Sequence, residues 1–475
     1  MRSLIFTFFV CLIASSTNSQ NLVSSENLGT TTTLVYNFLD LPLPVNYDVD
    51  YYKVTYNTVD VDGELTVASG AVMIPNTSEC NSFPMAVYCH GTVLRRFDVP
   101  SEQNFEGVFA GAMASAGYIT VAPDYLGLGE DDGVHPYVHA ETQATATLDL
   151  ISAARELMES LPTEDNGEVF ITGYSQGGHA AMASLKYAQD NELLDEIGIV
   201  AGAPASGPYN LSGTQTDVIL SELPYSNPGY IVYLLIGYNS VYNNLYNDLS
   251  DIIEEPYATD VQPFFDGEQN EFDMDAVNAI LPSLIPDLLR DSVLTNFENN
   301  PNHPLRVALA DNDNHDWAPV MPLRMYYCTG DEQVFFTNST DAETNMQANG
   351  AENALAINVL EGGDHGECVL PAIESVYAFF DSLSTSCQNT LSTSAKTPSP
   401  LRLAPNPARD HVRVFFPFRD ARIEVYSLDG RLVLERTVRG PEINLDLSEL
   451  TAGRYILSVT SENKRHNTGL IIAHP

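Results

Sequence analysis

Positive charge is what this sequence has least of. Its 21 Lys and Arg stand against 63 Asp and Glu, a net charge of −42. Repulsion from phosphate on that scale excludes a nucleic-acid partner. Long apolar runs are also missing once the first residues are passed. No later segment reaches the roughly 18 uninterrupted apolar residues of a membrane span, so the mature chain reads as soluble, with no transmembrane segment. Cysteine is sparse and, leaving out Cys11, odd in number: Cys80, Cys89, Cys328, Cys368 and Cys387. In an exported chain that count implies a free thiol or an unusual pairing.

What is present points to export and to a large core. The chain has 475 residues, 44% of them apolar, too many for one ordinary domain. Arg2, an apolar run over 4–14 and the small polar stretch 15–19 form a secretory signal peptide, residues 1–19. Phe8-Phe9-Val10 before Cys11 lacks the small residue that precedes a lipidated cysteine, so a lipoprotein is not expected. From residue 401 onward there are 11 basic and 9 acidic residues, +2, which leaves 10 basic and 54 acidic residues, −44, before it. So abrupt a shift marks a domain boundary. The acidic part reads as a solvated surface, with steering of a cationic ligand as the sharper alternative.

Residues 51–75 alternate in Val, Tyr and Thr around Asp62-Gly63, a β-hairpin pattern. Beyond it, short apolar runs at 85–89, 118–122, 169–172 and 197–201 interleave with helical patterns at 105–116, 140–160 and 178–190. That alternation predicts βαβ units around a mostly parallel sheet with helices on both faces. It resumes with strands at 323–328 and 356–360 and a helix at 369–383. The insertion between Pro204 and Pro322, about 208–318, reads as a helical cap with a helix near 274–289. Its tyrosine-rich run 230–246 serves either a ligand pocket or the cap's own core. Residues 384–400 read as a Ser/Thr/Pro linker between a domain over 20–383 and a small β-sandwich over 401–475. In that layout Cys80 and Cys387 lie at one edge of the sheet, and Cys328 and Cys368 near the other ends of neighbouring strands. Pairings 80–387 and 328–368 are expected.

Gly173-Tyr174-Ser175-Gln176-Gly177 joins an apolar strand to an alanine-rich helix, the context in which G-x-S-x-G presents a nucleophilic serine. A serine near neutral pH needs a base, and the base an orienting acid. In the order Ser, acid, His, the cap excludes His303 and His315, and the tail excludes His411, His466 and His474. His365 remains, in Gly362-Gly363-Asp364-His365-Gly366. Asp331, at the end of the strand over 323–328, is the expected acid, with Glu332 and Asp364 as competitors. The oxyanion donors expected are the N–H groups of Gln176 and of Thr92 in His90-Gly91-Thr92, with His90 bracing the loop. The run from Asp311 to Asp316 lacks the glycine and distal glutamate of a calcium loop, so it reads as a solvated turn and no metal site is assigned.

These residues, with 122–129 (Ala-Pro-Asp-Tyr-Leu-Gly-Leu-Gly) and His135-Pro136-Tyr137, resemble the secretory-lipase and bacterial extracellular-esterase branch of the α/β hydrolases. The resemblance runs over about 51–383. It implies a capped α/β-hydrolase fold and hydrolysis of lipid or other carboxylic esters without a cofactor, with Ser175, Asp331 and His365 as triad and Gln176 and Thr92 as oxyanion donors. A small-molecule, lipid-linked or polysaccharide-linked ester is the substrate implied, and a monomer is expected. The segments Ala404-Pro405-Asn406-Pro407-Ala408, 425–431 and 450–456 resemble the C-terminal sorting domain of the type IX secretion system. That resemblance implies outer-membrane export, engagement of the secretion machinery and a secreted or cell-surface product. A carbohydrate-binding tail would need a cluster of exposed aromatics that is missing. The rival readings are a serine peptidase of the same fold, which would carry a large N-terminal propeller, and a catalytically inactive surface binder.

Overall fold

The computed structural model describes residues 21–385 except 40 and 266–273, together with Cys387 and, beyond residue 401, the strands between 402 and 472 with parts of their connections. The expected signal peptide and most of the expected linker lie outside the described residues. The chain divides into two compact units, Met1–Gln388 and Asn389–Pro475.

Nine strands build the first unit: β1 (Leu22–Thr31), β2 (Asp48–Val59), β3 (Leu65–Asn76), β4 (Ser82–Cys89), β5 (Ile119–Pro123), β6 (Glu164–Tyr174), β7 (Ile199–Ala205), β8 (Leu323–Cys328) and β9 (Ala354–Leu360). They form one sheet in the order β1-β2-β3-β5-β4-β6-β7-β8-β9. Neighbours from β5 across to β9 pair in parallel, whereas β1, β2 and β3 are antiparallel and β3 meets β5 antiparallel. The β2–β3 hairpin is the one read around Asp62-Gly63.

Alternating side chains along each strand feed two cores. Met85, Val87, Val169 and Ile171 pack on one face with Leu148, Ile151 and Leu157 of the helix Ala140–Met158 and Met182 and Leu185 of the helix Gln176–Asp190. Ala86, Tyr88 and Phe170 point the other way, against Phe109 and Met113 of the helix Phe105–Ala116 and Val376 and Phe380 of the helix His365–Leu383. A parallel sheet covered on both faces explains why its strands read as unbroken apolar runs.

Two local expectations are corrected, and one strand went unread. β1 was not legible because it is an edge strand with mostly exposed side chains, and such a strand carries no apolar periodicity. The helix expected near 274–289 is two short ones, Met274–Ile280 and Ile285–Leu288, because Pro282 lacks the N–H and the backbone freedom to continue a turn. The last helix begins at His365 rather than 369, since Asp364 accepts from the Glu367 N–H (2.7 Å) and Glu367 answers in a capping box. Asp364 is thereby spent as a helix cap.

Cys80 pairs with Cys387 and Cys328 with Cys368, at Cα separations of 6.3 and 5.8 Å. Cys89 keeps its thiol, which burial pushes up to about 12. The second unit has a three-stranded and a four-stranded antiparallel sheet. They share an apolar core containing Val412, Val414, Ile423, Val425, Leu457 and Leu470.

Candidate active site

The site begins at the C-terminal end of β6, where the chain turns sharply into a helix. Ser175 is the hinge of that turn, with φ 59 and ψ −121, a conformation costing on the order of 1–3 kcal/mol for a residue with a side chain. Its N–H donates to the Ala205 carbonyl on β7 (3.0 Å), which anchors the strained residue. The flanking glycines are steric requirements. A Cβ on Gly173 would lie 2.2 Å from the Gly177 oxygen, and one on Gly177 would lie 2.0 Å from the Cys89 oxygen. Both obstacles are main chain, so they cannot swing aside. Gly177→Ala is therefore expected to lower stability by about 3 kcal/mol or more, read as a drop in the urea midpoint; an unchanged midpoint would contradict the crowding argument.

His365 and Asp331 meet although 34 positions separate them. His365 Nδ1 lies 2.8 Å from Asp331 Oδ2, with the two residues 8% and 3% exposed. Asp331 Oδ1 accepts from the N–H groups of Val334 (2.8 Å) and Gln333 (3.1 Å). The carboxylate is thus fixed from behind while its other oxygen faces the imidazole. Glu332, the competitor for this role, accepts instead from the His365 main-chain N–H (3.2 Å).

Two further contacts hold the histidine, the first not read from the sequence and the second the expected 328–368 pairing. The Tyr174 hydroxyl donates to the His365 carbonyl (2.6 Å), and its ring lies 5.0 Å from the imidazole. The Cys328–Cys368 bridge joins a residue three before Asp331 to one three after His365. No motif announces the Tyr174 contact, because it arises from loops of different strands meeting at one end of the sheet.

Thr92 and Gln176 lie at the same end. Gly91 sits against the Tyr174 carbonyl, which a Cβ there would approach to 3.7 Å. The Thr92 hydroxyl pairs with that of Tyr137 (2.7 Å). Gln176 opens the helix, where main-chain N–H groups have no intrahelical partner and the dipole favours negative charge. Its side chain reaches His135 Nε2 (2.8 Å).

The other buried histidines are engaged elsewhere. His90 touches the Gly91 and Asp124 carbonyls (2.7 and 3.2 Å), bracing its loop as expected. His179, one helical turn after Ser175, bonds Gln143 (2.8 Å) and the Asn312 carbonyl (3.0 Å). Burial lowers its pKa to about 4. His303 caps the helix Pro304–Asp311 by accepting from Leu305 N–H (3.2 Å).

Ser175 and Gln176 line a cavity of about 40 Å³ together with Tyr137, Gln215, Tyr225, Tyr230, Gln333 and Val334. The cap tyrosines divide between the two roles considered for them. Tyr225 and Tyr230 face this cavity, whereas Tyr233 stacks on Tyr137 (4.4 Å) and Tyr238 is fully buried in the cap's core. The run from Asp311 to Asp316 is a hydrogen-bonded junction: Asn312 accepts from Ala140 N–H (2.7 Å), Asp313 from Ser212 N–H (3.0 Å) and Asp316 from Asn349 (2.7 Å).

Comparison with known proteins agrees with this architecture. Residues 101–370 match the family model for secretory lipase, and residues 402–473 match that for the secretion system C-terminal sorting domain. None of the curated proteins compared with the chain matches it. Among solved structures, the chain is similar to the rice cell wall degrading esterase LipA from Xanthomonas oryzae, with 28% identity over 77% of this chain and 98% of that one and a TM-score of 0.69. A putative hydrolase from Legionella pneumophila is similar at 26% identity over 76% and 98%, with a TM-score of 0.70. Candida antarctica lipase A shares the fold at 16% identity over 78% and 84%, with a TM-score of 0.58. Among the described residues, no helix is long and apolar enough to cross a membrane.

Proposed function

This chain belongs to the secretory lipase family and is a secreted carboxylic-ester hydrolase with a type IX sorting tail, and on that premise we propose that it works through a Ser175–His365–Asp331 triad and an acyl-enzyme. The observation that carries the proposal is the 2.8 Å contact between His365 Nδ1 and a buried carboxylate. A carboxylate on Nδ1 keeps the proton there and leaves Nε2 as the basic nitrogen.

In the proposed cycle the Ser175 hydroxyl attacks the ester carbonyl carbon. Its proton passes to His365 Nε2 as the Oγ–C bond forms, and the carbonyl π electrons move onto oxygen. That oxyanion rests on the N–H groups of Gln176 and Thr92, each such donor being worth on the order of 3 kcal/mol in the transition state. Collapse breaks the bond to the alcohol oxygen, which takes the proton from His365. Water then adds to the acyl-enzyme, giving its proton to His365 as it attacks. Release of the carboxylic acid returns that proton to Ser175. Asp331 stays ionised throughout and stabilises the imidazolium.

A fluorophosphonate probe tests the assignment. The full-length protein is expected to lose ester hydrolysis in step with labelling, and peptide mass mapping to place the adduct on Ser175. Labelling of another residue, or full activity after stoichiometric labelling, would remove Ser175 as nucleophile.

A further inference from the structure

We propose that the amide oxygens of Gln176 and Gln215 are acceptors for a substrate hydroxyl, so that this enzyme prefers esters bearing a hydroxyl beside the scissile bond over plain alkyl esters. The inference rests on the reading of Ser175 as nucleophile and deepens it. Both glutamines line the Ser175 cavity and are only 2% and 8% exposed. The Oε1 atom of each is buried with no hydrogen-bond partner among the described residues. An orphaned acceptor costs about 1–3 kcal/mol, a cost usually relieved by water or ligand.

The orientation of Gln176 follows from its neighbour's tautomer. His135 Nδ1 lies 2.6 Å from the Leu126 carbonyl, which can only accept, so Nδ1 carries the proton. Burial holds the ring neutral, with its pKa lowered to about 3. Nε2 is then an acceptor, and the group facing it at 2.8 Å must be the Gln176 NH2. The amide oxygen is thereby left as the unused end.

The three tyrosine hydroxyls of the cavity are committed. The Tyr225 hydroxyl donates to the Gln333 carbonyl (2.9 Å) and that of Tyr230 to Gln333 Oε1 (3.1 Å), while Thr92 and Tyr137 satisfy each other. A ligand therefore meets acceptors that lack donors, and the complement is an O–H group. Tyr225 is also a wall of a larger groove of about 320 Å³ that carries the carboxylates of Asp217 and Asp341.

Two matched substrate pairs test this and separate the sources of the hydroxyl. Nitrophenyl butyrate against nitrophenyl 3-hydroxybutyrate probes the acyl side; ethyl butyrate against 2,3-dihydroxypropyl butyrate probes the alcohol side. In at least one pair the wild-type protein is expected to favour the hydroxylated member about tenfold or more in kcat/KM, as a satisfied buried acceptor requires. Gln215→Leu and Gln176→Met are each expected to bring that ratio down, and together to bring it to about one. Equal rates within both wild-type pairs would mean that bound water satisfies the amides, and would overturn the inference without needing any variant. A preference that survives both substitutions would overturn it equally. Failure to hydrolyse any of the four esters would instead strike at the Ser175 assignment, and this inference would fall with it.

Discussion

Replacing Ser175 with Ala is expected to lower kcat by about a million-fold, the scale of triad-serine knockouts, while leaving the unfolding transition in place. Both halves follow from the geometry. The Ser175 side chain makes no capping hydrogen bond to its own helix, so removing its oxygen takes no helix cap from the folded state. The anchoring bond to Ala205 is made by the main chain and survives. Alanine also has a Cβ, so the strain at φ 59 is unchanged. What is lost is the only atom at this turn able to form an acyl bond. A residual rate of some 10³–10⁴ over water is expected from oxyanion stabilisation and binding alone. Steady-state hydrolysis of a nitrophenyl ester, with urea denaturation of the same preparation, measures both halves. A variant keeping a tenth of the activity would show that another group is the nucleophile.

Asp331→Asn should lower kcat by about 10⁴-fold, again with the fold retained. Asparagine matches the size of aspartate, and its amide oxygen can keep accepting from the N–H groups of Gln333 and Val334. Its NH2 then faces His365 Nδ1 at the 2.8 Å contact, and two donors cannot share that space. The imidazole proton is driven to Nε2, and the nitrogen proposed to deprotonate Ser175 is no longer basic. Glu332→Gln provides the contrast. Glu332 accepts from the His365 main-chain N–H and from the Gln333 side-chain NH2, not from the imidazole, and an amide oxygen can still accept from the His365 N–H, so a loss of less than about tenfold is expected. If the two variants exchanged places in a kcat comparison, Glu332 would be the orienting acid.

The readable parts of the site were those whose residue type and local pattern coincide. Gly173-Tyr174-Ser175-Gln176-Gly177 is legible because two main-chain oxygens forbid a Cβ at each outer position and the strand and helix on either side carry their own periodicities. The pairing of His365 with Asp331 could be anticipated from the order of strands in the fold, since each residue closes a loop at the same end of a parallel sheet. Asp364 was a fair competitor by composition. Only the capping box with Glu367 shows it occupied. The part of the cap around Pro282 resisted reading because its helices, Met274–Ile280 and Ile285–Leu288, are short and interrupted by proline, and helices of seven and four residues carry too little periodicity to register.

By itself the sequence determined the class of chain: an acidic exported protein with a parallel core and a serine elbow. Those properties are set by composition and by patterns spanning no more than one strand and its helix. Tertiary structure alone decided which cap tyrosines reach the cavity and which stay in the cap's core, and that two glutamine oxygens are left unpaired beside Ser175. The physical reason is that hydrogen-bond satisfaction and burial are properties of groups converging from distant segments. A side chain's partners are settled only when sheet, loops and cap close around it.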